Sequence, residues 1–477
     1  MGRRRADFSP ERLRRSLEPH LGCGRLWIAY SGGLDSSVLL HAASVCFGRL
    51  ASHQPAALPQ PPAQPPIPPP PGPSPSPELR AIHVDHGLHP ESARWAEHCR
   101  TQARRLGVPL TERRLGLRRR KGESLEALAR TARYAVFSEL LAPDDVLATA
   151  QHRDDQAETL LLALLRGSGV RGLAAMPVVS ELGAGLLLRP LLGFSRAEVL
   201  EYAEHEGIPW IDDPSNADVC LDRNLLRHQI IPLLRGRWPS LDLTLARSAS
   251  HCAEAAGLLD GAADEWLARL GGQRPGTLSV DGLRALSQAR CRLVIRRWLA
   301  REGFRPPASA VLDRILAEAL CAAPDRAPLV AWPGCEVRRH RGDLYALAPM
   351  PAAVDGCTGA AQGRALTWDG RVPLLLPKGL GMLELPVSAA GIGGLSVCFG
   401  RSGLRCRVAN GPSHALKQLY QQAGIPAWLR PYVPLLMFEG NLAAMAGVTH
   451  CDDRFAGLRW TGHPWERFGI FRLPPSN

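Results

Sequence analysis

The chain of 477 residues is longer than one domain usually runs, so two or three are expected. Hydrophobic residues make up 45%, enough for real cores, and no run of 18 apolar residues suggests a membrane span. The formal charge of +12 favours a polyanionic partner, nucleic acid ahead of a membrane surface, and argues against an acidic or neutral binding module.

The 57 basic residues include only three lysines, Lys121, Lys378 and Lys417. Arginine suits bidentate phosphate contacts, although GC-rich coding also favours it. Twelve cysteines contain no C-x-x-C pair, so neither a zinc ribbon nor a redox dithiol is indicated. A reducing, cytoplasmic location is expected.

The stretch "WIAYSGGLDSSVLLH", Trp27 to His41, reads as a short apolar strand, a tight turn and a helix. Such a turn presents backbone N–H groups and a helix N-terminus to an anion. It lacks the lysine of a Walker A loop. Gly32 and Gly33 allow close backbone approach before Leu34, while Ser31, Ser36 and Ser37 add hydroxyl donors. Asp35 is the unexpected member. It either carries Mg²⁺, which reverses its repulsion of phosphate, or holds the turn by capping backbone N–H groups.

His53 to Pro77 is about half proline and is expected to be an exposed polyproline-like loop. It reads either as a ligand for a proline-binding domain or as an insertion tolerated at a loop tip. The strand "LRAIHVDHGL" follows, with His83 on it, then a helix and a strand. The basic run Arg118–Lys121 reads as a solvated loop. The helix "SLEALARTARYAVFSELL" opens on a Ser/Glu capping pattern. On it Glu126, Arg130 and Arg133 share a face at i, i+4 and i+7, which suits surface ion pairs or contacts to a ligand. "DDVLATAQH" is a strand, and "DDQAETLLLALLRGSG" the next helix. The first turns of that helix carry Asp154, Asp155 and Glu158, with His152 just ahead. The carboxylates either complement the helix dipole or serve as metal ligands, ammonium binders or a base. His152 is either a phosphate donor or a packed histidine.

Strands alternating with helices predict an α/β, doubly wound parallel sheet. Ligands of such sheets bind beyond the carboxyl ends of the strands. The Gly turn, "HVDHGL" and "TAQHRDDQAET" all fall at those ends. From about Asn224 to Leu320 the pattern turns helical, then strand-rich in "LVAWPGCEVRRHRGDLYALA". The expected division is a nucleotide-binding domain over 1–223, a mainly helical domain over 224–348, a small-residue linker over 349–365, and a small α+β domain over 366–477.

The turn S-G-G-x-D-S resembles that of the PP-loop ATP pyrophosphatases, which cleave ATP between its α- and β-phosphates. "SGGLDSSVLLH", "HVDHGL", "SLEALARTARY", "TAQHRDDQAETLLLALLRGSG", "LLRPLL" and "WIDDPSNADVCLDRNLLRHQIIPLL" occur in this order. Together they look like the tRNA(Ile)-lysidine synthetase family in its long, three-domain form. The resemblance covers nearly the whole chain apart from the proline-rich insertion.

The resemblance implies an ATP-dependent ligase that adenylates C2–O of the wobble cytidine in a CAU anticodon. L-lysine then displaces AMP, and codon reading changes from AUG to AUA. It also implies a Rossmann-like first domain and Mg²⁺ as cofactor, with Asp35 the candidate ligand. Asp35, His152, Asp155 and Glu158 are the implied catalytic group. Ser31 to Ser37 and the segment around His83 are implied to bind ATP.

Glu126, Arg130, Arg133, Arg189, Arg223 and Arg227 are implied to face nucleotide, lysine or tRNA, with Asn224 structural. Arg296, Arg297, Arg401, Arg405, Arg407, Lys417 and Arg430 are further candidates for tRNA contact. The stretch "NGPSHALKQLYQQ" retains only Lys417 as a lysine. A second copy of the chain is an additional candidate partner. The rival readings are a cytidine 2-thiolase, disfavoured by the missing C-x-x-C, and a non-catalytic tRNA-binding protein, disfavoured by the acidic and Gly motifs.

Overall fold

The computed structural model describes residues 7–22, 24–48, 77–87, 90–117, 125–214, 218–323, 326–351, 365–401, 403–407 and 412–471. The proline-rich segment up to residue 76, the basic run 118–121, the Glu126 side chain and residues 352–364 of the expected linker lie outside the described residues. The chain forms two compact units, Met1–Gly257 and Leu258–Asn477.

In chain order, the first unit contains α1 (Pro10–Leu17), β1 (Arg25–Ala29), α2 (Leu34–Phe47), β2 (Glu78–Asp85), α3 (Ser92–Arg105) and β3 (Leu110–Arg114). Then come α4 (Leu125–Leu140), β4 (Val146–Ala148), α5 (Arg153–Leu165), α6 (Val170–Leu173), β5 (Val179–Leu182) and β6 (Gly185–Leu188). The unit continues through α7 (Arg196–His205), α8 (Asp222–Leu225) and α9 (Ile231–Arg237) into α10 (Leu241–Leu267), within which the division falls.

The sheet order is β3-β2-β1-β4-β6-β5. All neighbours run parallel except β5, which forms an antiparallel hairpin with β6. That edge hairpin turns at Gly183, whose φ of +60° suits a residue without Cβ.

Buried strands read as apolar runs because both faces are covered. On one face, α1, α2 and α7 pack Leu13, Leu17, Val38, Leu39, Leu40 and Val199 against Leu26, Ile28 and Leu188. On the other, Phe137 and Leu141 of α4 meet Trp27, Ile82, Leu147 and Leu187. Helix α2 is buried nearly all round, which explains why its sequence carries no polar stripe. The chain steps outward from β1 to β2 and β3, then adds β4 on the other side of β1. The border between β1 and β4 is therefore the topological switch point, where a crevice opens at the carboxyl ends.

The second unit holds two antiparallel sheets with helices. One sheet orders Leu278–Ser279, Asp343–Leu347, Cys335–His340 and Leu329–Trp332. The other orders Leu366–Trp368, Leu395–Cys398, Leu435–Phe438, Asn441–Met445 and Thr449–His450, beside the helix Leu416–Gln422. Tyr345 and Leu347 leave the first sheet to bury in the same core as Trp460 and Phe468. Cys406 and Cys451, 45 residues apart, are joined by a disulfide. The scattered cysteine spacing gave no sign of this pair.

Candidate nucleotide-binding and catalytic site

The crevice at the switch point holds a cavity of about 390 Å³. Its floor is the turn between β1 and α2. Gly32 has φ +84°, and a Cβ there would lie 3.0 Å from Cys99 Sγ, so the turn needs glycine on two counts. The serines brace it: Ser36 Oγ lies 3.0 Å from Gly33 O and accepts from Ser31 N–H at 3.2 Å. Ser37 Oγ donates to Gly32 O at 3.4 Å. Ser36 and Ser37 are buried. Their visible work is to shape the loop, with Ser31 exposed at its lip. Gly33 is the N-cap of α2 and no side chain caps that helix, so its first N–H groups remain available to an anion. Leu34 is buried, and His83 sits beneath the crevice with Nδ1 2.9 Å from Tyr30 O.

Asp35 faces the cavity from the first turn of α2. Its Oδ1 is buried with no hydrogen-bond partner. Burial raises its pKa, and Asp155 adds to the rise while His152 opposes it. Across the crevice, His152 is the N-cap of α5: Nδ1 accepts from Asp155 N–H at 3.4 Å, while Asp155 Oδ2 accepts from His152 N–H at 3.0 Å. This box fixes the ring with its Nε2–H toward carboxylates, 3.4 Å from Asp155 Oδ2 and 3.7 Å from Asp35 Oδ2. The imidazole is buried behind the wall and ties the two acids together.

Glu158 is buried one turn further along α5. Arg227 grips it through Nε at 2.6 Å and Nη2 at 2.9 Å, and the same Nη2 reaches Asp155 Oδ1 at 2.8 Å. Arg223 adds a contact to Glu158 at 3.4 Å and bonds Thr159 Oγ1 at 2.8 Å. Burial raises the Glu158 pKa despite these cations. Burial alone would also raise Asp154. The Arg196 backbone N–H at 2.8 Å, His152 and Arg235 outweigh it, so Asp154 is held below the usual carboxylate range.

Arg130 and Arg133 both line the cavity, Arg130 with its guanidinium 4.9 Å from the Tyr134 ring. Arg189 is elsewhere: it is buried and donates to Pro177 O at 2.8 Å. Asn224 is buried and bonds Asp218 O at 2.9 Å. Arg196, Asp212 and His228 line the cavity although the sequence reading singled out none of them. Arg196 had a signal, since it follows Ser195 in the capping pattern that opens α7. Arg235, which links α9 to Asp154, had none.

In the second unit, Arg401, Arg405, Arg407 and Lys417 are exposed, with Arg405 bonded to Ser413 Oγ at 3.1 Å. Arg430 is half-buried and donates to Ile425 O at 3.2 Å. Arg297 is engaged with Asp264 at 2.7 and 2.8 Å, and Arg296 with Ser309 at 3.0 Å.

Residues 9–234 match the PP-loop domain family, residues 278–345 the TilS substrate binding domain, and residues 395–462 the TilS substrate C-terminal domain. The chain is 42% identical to the tRNA(Ile)-lysidine synthase of Methylococcus capsulatus, over 90% of this chain and 93% of that one. It is 43% identical to that of Alkalilimnicola ehrlichii, over 93% and 94%. It is 36% identical to that of Coxiella burnetii, over 96% and 95%. With matches of this length over both compact units, and an ATP-type PP-loop at the switch point, the chain belongs to the tRNA(Ile)-lysidine synthase family of ATP-dependent ligases.

Proposed function

We propose that this chain ligates L-lysine to C2 of the wobble cytidine in the CAU-anticodon isoleucine tRNA, forming lysidine. The observation that carries the reading is the convergence, in one 390 Å³ cavity, of an uncapped helix N-terminus, two acidic side chains and four arginines. A pyrimidine C2 carbonyl is a poor electrophile. Transfer of AMP to its oxygen expels pyrophosphate and turns that oxygen into part of a leaving group. The lysine amine then attacks C2, AMP departs with the oxygen, and the amine loses a proton.

Each charge in this sequence has a counterpart. The Gly32–Ser37 turn and the α2 N-terminus receive phosphate oxygens through N–H groups. Arg130, Arg133 and Arg223 face the developing charge on phosphate. Asp155, with Glu158 behind it, attracts the substrate ammonium, and a carboxylate of this group takes its proton.

The buried, unpartnered Asp35 Oδ1 suits a hard cation, and Mg²⁺ commonly takes one or two carboxylates plus substrate phosphates. Asp35, with Asp155 on the same His152 Nε2, would hold it. When bound it supplies positive charge to the ATP phosphates. His152 positions the two acids.

The reading includes a cytoplasmic location, where ATP and tRNA are found. Among the described residues no helix is long and apolar enough to cross a membrane. It also divides the labour: residues 1–223 for chemistry, 224–348 and 366–477 for tRNA, joined by 349–365. Exposed Arg401, Arg405, Arg407 and Lys417 support tRNA contact by the last segment. The test is to incubate the protein with ATP, lysine and the CAU-anticodon isoleucine tRNA, then digest to nucleosides for mass spectrometry. Lysidine with stoichiometric AMP is the expected result, and unmodified cytidine under saturating substrates would refute it.

A further inference from the structure

Trp238 is 56% exposed, unusual for the largest apolar side chain, and its backbone is fixed on every side. Its N–H donates to Leu234 O at 2.8 Å, closing α9, and its carbonyl accepts from Leu241 N–H at 3.0 Å, opening α10. Pro239 follows, which confines Trp238 to extended geometry, observed at φ −126° and ψ 85°. A rigid backbone thus holds an indole face out to solvent. The Arg237 guanidinium lies 5.9 Å from the ring centroid.

The segment that carries it is basic and leads to the catalytic cavity. From Arg223 to Trp238 the sequence has four arginines, a histidine and no carboxylate. Arg223, Arg227 and His228 line the cavity, and Arg235, three residues before Trp238, anchors α9 to Asp154 beside His152. Ten helical residues separate His228 from Trp238, about 15 Å at helical rise. That is a span of a few stacked nucleotides, at about 3.4 Å each.

We propose that Trp238 is a stacking platform for an unpaired base of the tRNA anticodon loop, close to the cytidine that enters the cavity. The inference rests on the reading that this cytidine is the substrate. A base drawn out for chemistry leaves its neighbours partly unstacked. Proteins replace such stacking with aromatic faces and arginine planes, tolerant of sequence because every base has a π-face. A rigid indole beside Arg237, on a cationic segment, offers both. The charge of that segment favours RNA over a second copy of this net-cationic chain.

The test uses the full-length chain and the CAU-anticodon isoleucine tRNA, with 2-aminopurine placed singly at loop positions flanking the wobble base. W238A is expected to weaken tRNA binding about tenfold or more, from the usual contribution of one stacked base. W238F should stay within about threefold of wild type, and W238L should resemble W238A. ATP affinity should remain unchanged in all three. At one flanking position, binding should quench 2-aminopurine with wild type and W238F but not with W238A or W238L. Unchanged affinity and quenching in W238A overturns the proposal, as does W238L behaving like W238F. Loss of self-association in W238A at unchanged tRNA affinity also overturns it, and assigns the face to a second copy. Failure of wild type to form lysidine would instead sink the functional reading, and binding and quenching would still judge the platform.

Discussion

Replacing Arg227 with methionine removes three hydrogen bonds from two carboxylates, one of them the fully buried Glu158. Removing one partner of a buried ion pair typically costs about 3–5 kcal/mol, because a charge is left in low dielectric. Two features reduce that figure here. Arg223 remains 3.4 Å from Glu158, and Glu158, whose pKa burial already raises, can take up a proton instead of standing charged. The remaining loss is roughly that of one or two hydrogen bonds to charged groups, about 2 kcal/mol. In a Glu158→Gln background the same replacement should cost about 1 kcal/mol or less, since no buried charge is orphaned. Hydrogen exchange of peptides spanning α5, followed by mass spectrometry, reads this locally and does not require the two units to unfold together. A cost below about 0.5 kcal/mol, or an equal cost in both backgrounds, would refute the claim that Arg227 neutralises Glu158.

Asp35→Asn should lower lysidine formation at least about 100-fold, the scale of losing a preorganised electrostatic group. It should leave stability equal or higher, because a buried carboxylate with a raised pKa is a burden when ionised; a folded mutant with wild-type yield contradicts this. A raised carboxyl pKa means the folded chain binds that proton more tightly than the unfolded one. Asp35 and Glu158 therefore add stability at low pH that is lost as pH rises through their folded values, which lie above about 4. Asp154 is lowered, so its contribution is present above about 4 and lost as pH falls through its folded value. Urea titrations of D35N, E158Q and D154N across pH separate the two slopes, and identical pH profiles would show the assignments to be mistaken. Deleting residues 55–77 and closing the gap with a short Gly/Ser linker should keep activity within a few-fold, as a proline-rich stretch has little native packing to lose; a folded but inactive product would give the insertion a role. A cytoplasmic location predicts that Cys406 and Cys451 are thiols in the cell, where disulfides are rare. Alkylation of intact cells before mass spectrometry tests this, and a fully oxidised pair argues for an oxidising compartment.

Much of the first unit was legible because its chemistry is written in short, local signals. The Gly turn, the strand ahead of it and the helix after it lie within fifteen residues, and each limits the others: β1 must be apolar, Gly32 must turn, α2 must start. "HRDDQAET" was equally local, since i, i+3 spacing at a helix start needs no knowledge of the remaining fold. The β5–β6 hairpin was missed because "ELGAGLLL" is too short for either period to show.

Long-range pairing was not legible. Arg227 and Glu158 stand 69 residues apart, and Arg235 and Asp154 81 apart. Nothing in either neighbourhood names its partner. The arginines show why composition reaches a limit here. Charge alone made Arg297 and Arg405 equivalent candidates for phosphate. In the fold Arg297 is spent on a bidentate pair with Asp264, while Arg405 stands exposed on a hairpin. Arg339 is buried and donates to the carbonyls of Ala319, Leu320 and Ala322, closing a helix end that would otherwise hold unsatisfied oxygens. A net charge counts such residues the same as those that meet solvent. What separates them is the tertiary neighbour, an acid or a carbonyl end, and that neighbour is set by packing of apolar faces rather than by the charge itself. The excess of +12 thus points to a polyanion, but the surface that binds it has to be sought among arginines the fold leaves exposed.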